Sequence, residues 1–128
     1  MKRYLLDTHV LLRWRAGELR GRKRVRSILS RPRGSLWLSV ASVWEICIKR
    51  ALGKLDLPMP TKDFVEGALA AGLDLLPIRP AHVYRVETLP GPHRDPFDRL
   101  LVAQALEERL VLVSGDPQLA GYDVDVVW

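Results

Sequence analysis

The sequence predicts an α/β fold: a parallel β-sheet of about five strands with helices on both faces. Two patterns predict it. Short apolar runs alternate with helical segments, and those runs are continuously apolar, as in strands buried on both sides. The third observation is scale. The 128 residues are 48% hydrophobic and 27% charged, which suits one domain over residues 1–128 that buries a core without disulfides or a structural metal.

Each element follows from a local signal. Residues 3–6 read as a first strand, apolar up to Asp7. Residues 8–15 and 18–30 read as helices, the second with Leu19, Val25, Ile28 and Leu29 on one side. Residues 35–39 form a second strand around Leu36-Trp37-Leu38. A helix over 40–52 is expected because Val40, Val43, Trp44, Cys47, Ile48 and Ala51 share one arc at about 100° per residue. Gly53 stands where it would stop. Residues 61–71 predict a helix capped by Thr61 with Asp63 in its first turn. A third strand lies within 73–78, and a short helix over 80–87. The helix over 96–109 opens with Asp95-Pro96, a capping residue followed by proline at the first helical position. Residues 110–114 and 125–127 are the fourth strand and a short fifth.

Composition narrows the function classes. No apolar run approaches the ~20 residues of a membrane helix, and Asp7 interrupts the N-terminal apolar stretch too early for a signal peptide. The cytoplasm is the expected compartment. A single cysteine, Cys47, excludes a disulfide framework and a zinc finger, and reads as core. The net charge is +5, with fifteen arginines and five lysines, which permits a polyanionic partner. Nine of the twenty basic residues fall between Arg13 and Arg33. A solvated helix face, an RNA-backbone track and a protein-partner surface all remain open for them. Ile46 and Trp14 stand among polar neighbours, either as partner-facing groups or as residues buried by other parts of the chain.

In open parallel sheets, ligands sit beyond the carboxyl ends of the strands, and the acids occur there. Asp7 closes the first strand, Asp116 follows the fourth, Glu45 lies on the helix after the second, and Asp95 and Asp98 open the helix that feeds the fourth. Singly, each has a plain reading: a helix cap for Asp7, Asp95 and Asp116, a first-turn acid for Asp98, and pairing with Lys49 for Glu45. Together, chain-distant carboxylates on one sheet edge repel each other unless a cation joins them. Hard oxygen donors favour Mg²⁺ or Mn²⁺.

Four segments in order carry a resemblance: Tyr4-Leu5-Leu6-Asp7-Thr8-His9, Ser39-Val40-Ala41-Ser42-Val43-Trp44-Glu45-Ile46, His93-Arg94-Asp95-Pro96-Phe97-Asp98-Arg99 through Ala105, and Leu112-Val113-Ser114-Gly115-Asp116. With Val126-Val127-Trp128, this set resembles the VapC-type PIN-domain toxins. The resemblance implies a PIN fold and a Mg²⁺- or Mn²⁺-dependent endoribonuclease that hydrolyses RNA phosphodiesters, forms a homodimer and is neutralised by a VapB-type antitoxin. Asp7, Glu45, Asp98 and Asp116 match the catalytic acids, with Asp7, Asp98 and Asp116 as metal ligands. Asp95, Arg99, Ser114 and Thr8 are supporting candidates. Ser114 stands where PIN proteins often carry threonine, and it keeps the hydroxyl.

The chemistry agrees with the residues. A cation held by Asp7 and Asp98, with Asp116 directly or through water, can lower a water's pKa and bind a phosphoryl oxygen. Glu45 can orient that water, accept its proton or hold a second metal. Arg99 is a candidate for a phosphate or carboxylate contact. His9, His82 and His93 lack metal-ligand spacing, although His93 precedes Asp95 closely enough to lie near the site. No Gly-rich phosphate loop or nucleophile elbow occurs. A PIN nuclease of RNA processing is the alternative enzyme, and a catalytically dead scaffold would be expected to lack an acid. A receiver-like signalling domain would need a lysine after a late strand, and Lys2, Lys23, Lys49, Lys54 and Lys62 all lie elsewhere.

Overall fold

A computed structural model describes residues 2–91 and 95–128. Five parallel strands, β1 (Tyr4–Leu6), β2 (Leu36–Ser39), β3 (Asp74–Leu76), β4 (Val111–Val113) and β5 (Val126–Val127), pair in the order β3-β2-β1-β4-β5. The helices are α1 (Thr8–Arg15), α2 (Lys23–Leu29), α3 (Val40–Ala51), α4 (Thr61–Ala70), α5 (Pro80–Thr88) and α6 (Pro96–Glu108), with a 3₁₀ turn over Pro117–Gly121.

Side chains alternate across a strand, so the central strands feed two cores. Tyr4, Leu6, Leu36, Leu38 and Val113 pack with Val10, Leu11, Val25, Ile28 and Phe64 on one face. Leu5, Leu76 and Leu112 pack with Leu100, Leu101, Ala103 and Leu119 on the other. Fully burying one such leucine stabilises by about 1.5–3 kcal/mol. Because the strands are parallel and short, α1, α3 and α6 all start near one edge of the sheet, where the acids stand.

Beyond one-residue shifts at the ends of α3, α4 and α5, the structure departs from expectation in four places. Helix α2 begins at Lys23, not residue 18, after a turn through Gly21. Pro60, not Thr61, is the cap residue of α4; the Thr61 hydroxyl instead accepts from Arg50 at 3.0 Å. Helix α6 stops one residue early because Arg109 adopts a left-handed conformation (φ 56°). The largest difference is the rotation of α3. Its buried residues are Ala41, Ser42, Glu45 and Ile46, so Cys47 is exposed rather than core, and Trp44 is 53% exposed. Ile46 is fully buried and Trp14 partly buried against the same core, so neither is an exposed partner-facing group. The apolar arc misled because polar residues of the sheet edge occupy α3's inward face.

A buried polar chain ties the layers together. Ser39, which caps α3 through its hydroxyl, donates to the Gln104 carbonyl oxygen, and Gln104 donates to the Pro77 carbonyl at 3.3 Å. His82 is buried beside it: its Nδ1 accepts from the Arg79 amide at 3.0 Å, so Nε2 carries the proton and donates to Glu108 at 2.8 Å. Among the described residues no helix is long and apolar enough to cross a membrane.

Candidate active site

Asp7 sits between β1 and α1 and is pinned from two sides. Its Oδ1 accepts the His9 amide at 2.9 Å, capping α1, and its Oδ2 accepts the Ser114 hydroxyl at 2.5 Å. The same Ser114 oxygen accepts the Asp116 amide at 3.1 Å. One hydroxyl therefore joins the ends of β1 and β4. Asp116 caps the 3₁₀ turn through the Gln118 amide at 2.9 Å. Asp95 caps α6 through the amides of Phe97 and Asp98 at 2.9 and 3.4 Å. The capping readings of these three acids thus hold, and capping aims them at one edge.

Glu45 approaches from α3 with 1% of its surface exposed. Its Oε1 accepts the Thr8 hydroxyl at 2.7 Å, and its Oε2 lies 2.6 Å from the Lys49 ammonium. Thr8 and Ser42 are also 2.8 Å apart. A hydroxyl donates only once, so Thr8 donates to the carboxylate and accepts from Ser42. One chain-distant hydroxyl, itself held by Ser42, and one cation thus hold a carboxylate that would otherwise be costly to bury.

The electrostatics separate the acids. Burial alone would raise the Asp7 carboxyl, but the His9 ring, the Ser114 hydroxyl and the His9 amide together hold it below the ordinary range. Asp98 goes the other way. Burial, then the charges of Asp95, Asp7, Glu45 and Asp116, push it up to about 7. Lys49 is raised by its bond to Glu45, against an opposing burial effect, and by the charges of Glu45, Asp95 and Asp98. The His9 ring nitrogen, 3.6 Å from Asp7 Oδ1, is raised mainly by that carboxylate.

The Asp98 carboxyl therefore lies within the field of all four other acids. Among the described residues, no three acid, histidine or cysteine side chains form a ready-made cage. An all-oxygen set with one carboxyl under repulsion suits a hard divalent cation that binds one or two carboxylates and keeps its waters. The donors present fit such an ion.

Other candidates fall differently. The Arg99 guanidinium is taken up by the carbonyls of Val86, Leu89, Pro90 and Gly91 and by the Tyr122 hydroxyl, at 3.1–3.3 Å. It braces the end of α5 against the first turn of α6. His93 lies outside the described residues. Lys49 and Ser42 are the residues that sequence reasoning left out of the site. Lys49 was legible as the i+4 partner of Glu45, whereas Ser42 carried no signal. Although it follows no late strand, Lys49 does reach the acids.

Residues 4–125 match the PIN domain family. The chain belongs to the PIN domain family. PIN nucleases generally use divalent metal ions, in keeping with the donor set. No curated protein matches the sequence. Among solved structures, this PIN domain is similar to VapBC2 from Rickettsia felis bound to a promoter DNA fragment. That match has a TM-score of 0.73 and 12% identity, and it covers 97% of this chain and 96% of that one. It is also similar to a toxin–antitoxin complex from Klebsiella pneumoniae (0.67, 19%, 98% and 96%). A third is DNA-bound VapBC from Salmonella typhimurium (0.67, 18%, 99% and 98%). At these identities the likeness carries the fold.

Proposed function

We propose that this PIN domain, a single domain over residues 1–128, is a Mg²⁺- or Mn²⁺-dependent endoribonuclease that hydrolyses RNA phosphodiesters. We read it as the toxin of a VapBC-type pair, working in the cytoplasm as a homodimer and restrained by a VapB-type antitoxin. The observation that carries the reading is the Asp98 carboxyl, raised to about 7 beside four further acids from separate segments of the chain. A fold has little reason to gather that much negative charge except to bind a cation. The similarity to toxin–antitoxin complexes supports the biological role.

Asp7 and Asp98 are the residues that would hold the ion, with Asp116 directly or through water. When bound, the ion supplies a water of lowered pKa and a contact for a phosphoryl oxygen. The chain's own groups do the rest. The His9 ring and the Ser114 hydroxyl hold the Asp7 carboxyl low, and Ser114 orients it. Asp95 fixes the first turn of α6, and with it Asp98. Arg99 braces the neighbouring loop. Glu45 has both oxygens engaged, so its role is to hold the Lys49 ammonium at the cleft and, when substrate displaces that contact, to accept a proton from water. Lys49 then faces the phosphate as a fixed positive charge.

The test is cleavage of a mixture of structured RNAs by pure protein with Mg²⁺ or Mn²⁺, with EDTA, and with Asp98→Asn. Cutting is expected only with metal and Asp98 both present. Equal cutting by the Asn variant would overturn the assignment, as would failure of Mn²⁺ to bind the wild-type acids.

A further inference from the structure

Trp128 lies against the turn that joins β4 to Asp116. A Cβ placed on Gly115 would fall 2.7 Å from its Cε2, so the indole touches the backbone between Ser114 and Asp116. Its inner edge packs on the core that holds Val10 and Leu11 of α1. Two guanidinium groups rest on the same ring, Arg22 at 4.4 Å and Arg13 at 5.2 Å from its centroid. Both arginines are exposed. One indole thus touches both a pair of cations and the turn that carries Asp116.

The charge around this pair is unbalanced. Between residues 13 and 33 there are nine basic side chains and one acid, Glu18. Among the described residues, only Arg33 of the nine forms an ion pair with a carboxylate, Asp74. A solvated face would not need two guanidiniums laid on one tryptophan. Stacking on an aromatic face pre-orients the planar fork that binds phosphate with two hydrogen bonds. Without its cation the acid cleft repels phosphate, so the metal-free protein attracts a polyanion through the margin of the cleft.

We propose that Arg13 and Arg22, seated on Trp128, form a phosphate-binding platform for the RNA strand beside the acid cleft. The inference rests on the RNA-cleaving function proposed above and adds where the strand is held. Trp128 is a positioning residue: it sets the two arginines relative to the turn of Asp116.

The test compares Arg13→Gln/Arg22→Gln with a control pair of equal charge, Arg20→Gln/Arg24→Gln, both in Asp98→Asn protein. Binding of fluorescein-labelled oligouridylate in EDTA is followed by anisotropy as salt rises from about 50 to 200 mM. Losing two phosphate contacts should flatten the slope of log K against log salt by about 1.4 and weaken binding roughly 10- to 30-fold at about 0.1 M salt. The control pair should change the slope by well under half as much. Trp128→Leu should weaken binding with the arginines still present. Equal losses in the two pairs would mean a diffuse field and overturn the platform. So would unchanged binding in the Arg13/Arg22 variant while wild-type protein still cuts RNA, and that result would leave the nuclease standing. Wild-type protein that neither binds nor cuts RNA would remove both.

Discussion

Asp98→Asn should make the metal-free protein more stable at pH 8 while abolishing metal-dependent cleavage. The carboxyl is raised from 3.8 to about 7, first by burial and then by Asp95, Asp7, Glu45 and Asp116. Its folded pKa exceeds its unfolded one, so its stabilising contribution is complete below about pH 4. That contribution is lost as pH rises through about 7. About three pH units at ~1.4 kcal/mol each would be ~4 kcal/mol at pH 8. The side chain is only partly buried, and solvent screening brings this to about 1–2 kcal/mol. For a domain of this size that is a rise in Tm of roughly 3–8 °C. Thermal and urea unfolding of both proteins in EDTA, at pH 8 and pH 4, would measure it. The gain should be present at pH 8 and nearly absent at pH 4. Adding Mn²⁺ should stabilise wild type and leave the variant unmoved. A variant less stable than wild type at pH 8, or one with the same gain at both pH values, would refute the claim that Asp98 is held against its neighbours' charge.

Three further substitutions probe the frame of the site. Lys49→Met leaves the Glu45 carboxylate buried without its cation. It should cost about 1–3 kcal/mol in urea unfolding, below the range of a fully buried pair because the Lys49 side chain is 36% exposed. Lys49→Arg should recover much of it. Arg99→Gln strips the donors from four carbonyls at the end of α5 and should cost about 2–3 kcal/mol. It should also slow cleavage by loosening the first turn of α6, and unchanged stability would show that water replaces the guanidinium freely. Gly115→Ala must displace the Trp128 indole and should cost about 1–3 kcal/mol by overpacking. A crystal structure of that variant with the ring unmoved would contradict the close approach.

The strands, their parallel pairing and the strand-end positions of Asp7 and Asp116 were legible in the sequence because each rests on local information. Apolar runs, turn residues and the Asp-Pro steps act within a few residues of where they are read. The site's partnerships were not legible in that way. Thr8 and Glu45 are 37 positions apart, Ser114 and Asp7 are 107 apart, and nothing in the intervening chain announces either bond. The rotation of α3 shows the physical reason most directly. Hydrophobic periodicity assumes that the inward face is apolar, whereas here Ser42 and Glu45 lie inward because Thr8 and Lys49 satisfy them, and Trp44 and Cys47 turn out to solvent. Likewise Arg99, beside an acid in the sequence, bonds to carbonyls instead, and Trp128 acquires its arginines only when β5 lies beside β4. The sequence by itself determined which residues are acids and where the strands carry them. Only the tertiary structure decided that the Asp7 carboxyl is held low and that of Asp98 pushed up, because both depend on burial, hydrogen bonds and charges contributed by separate segments of the chain.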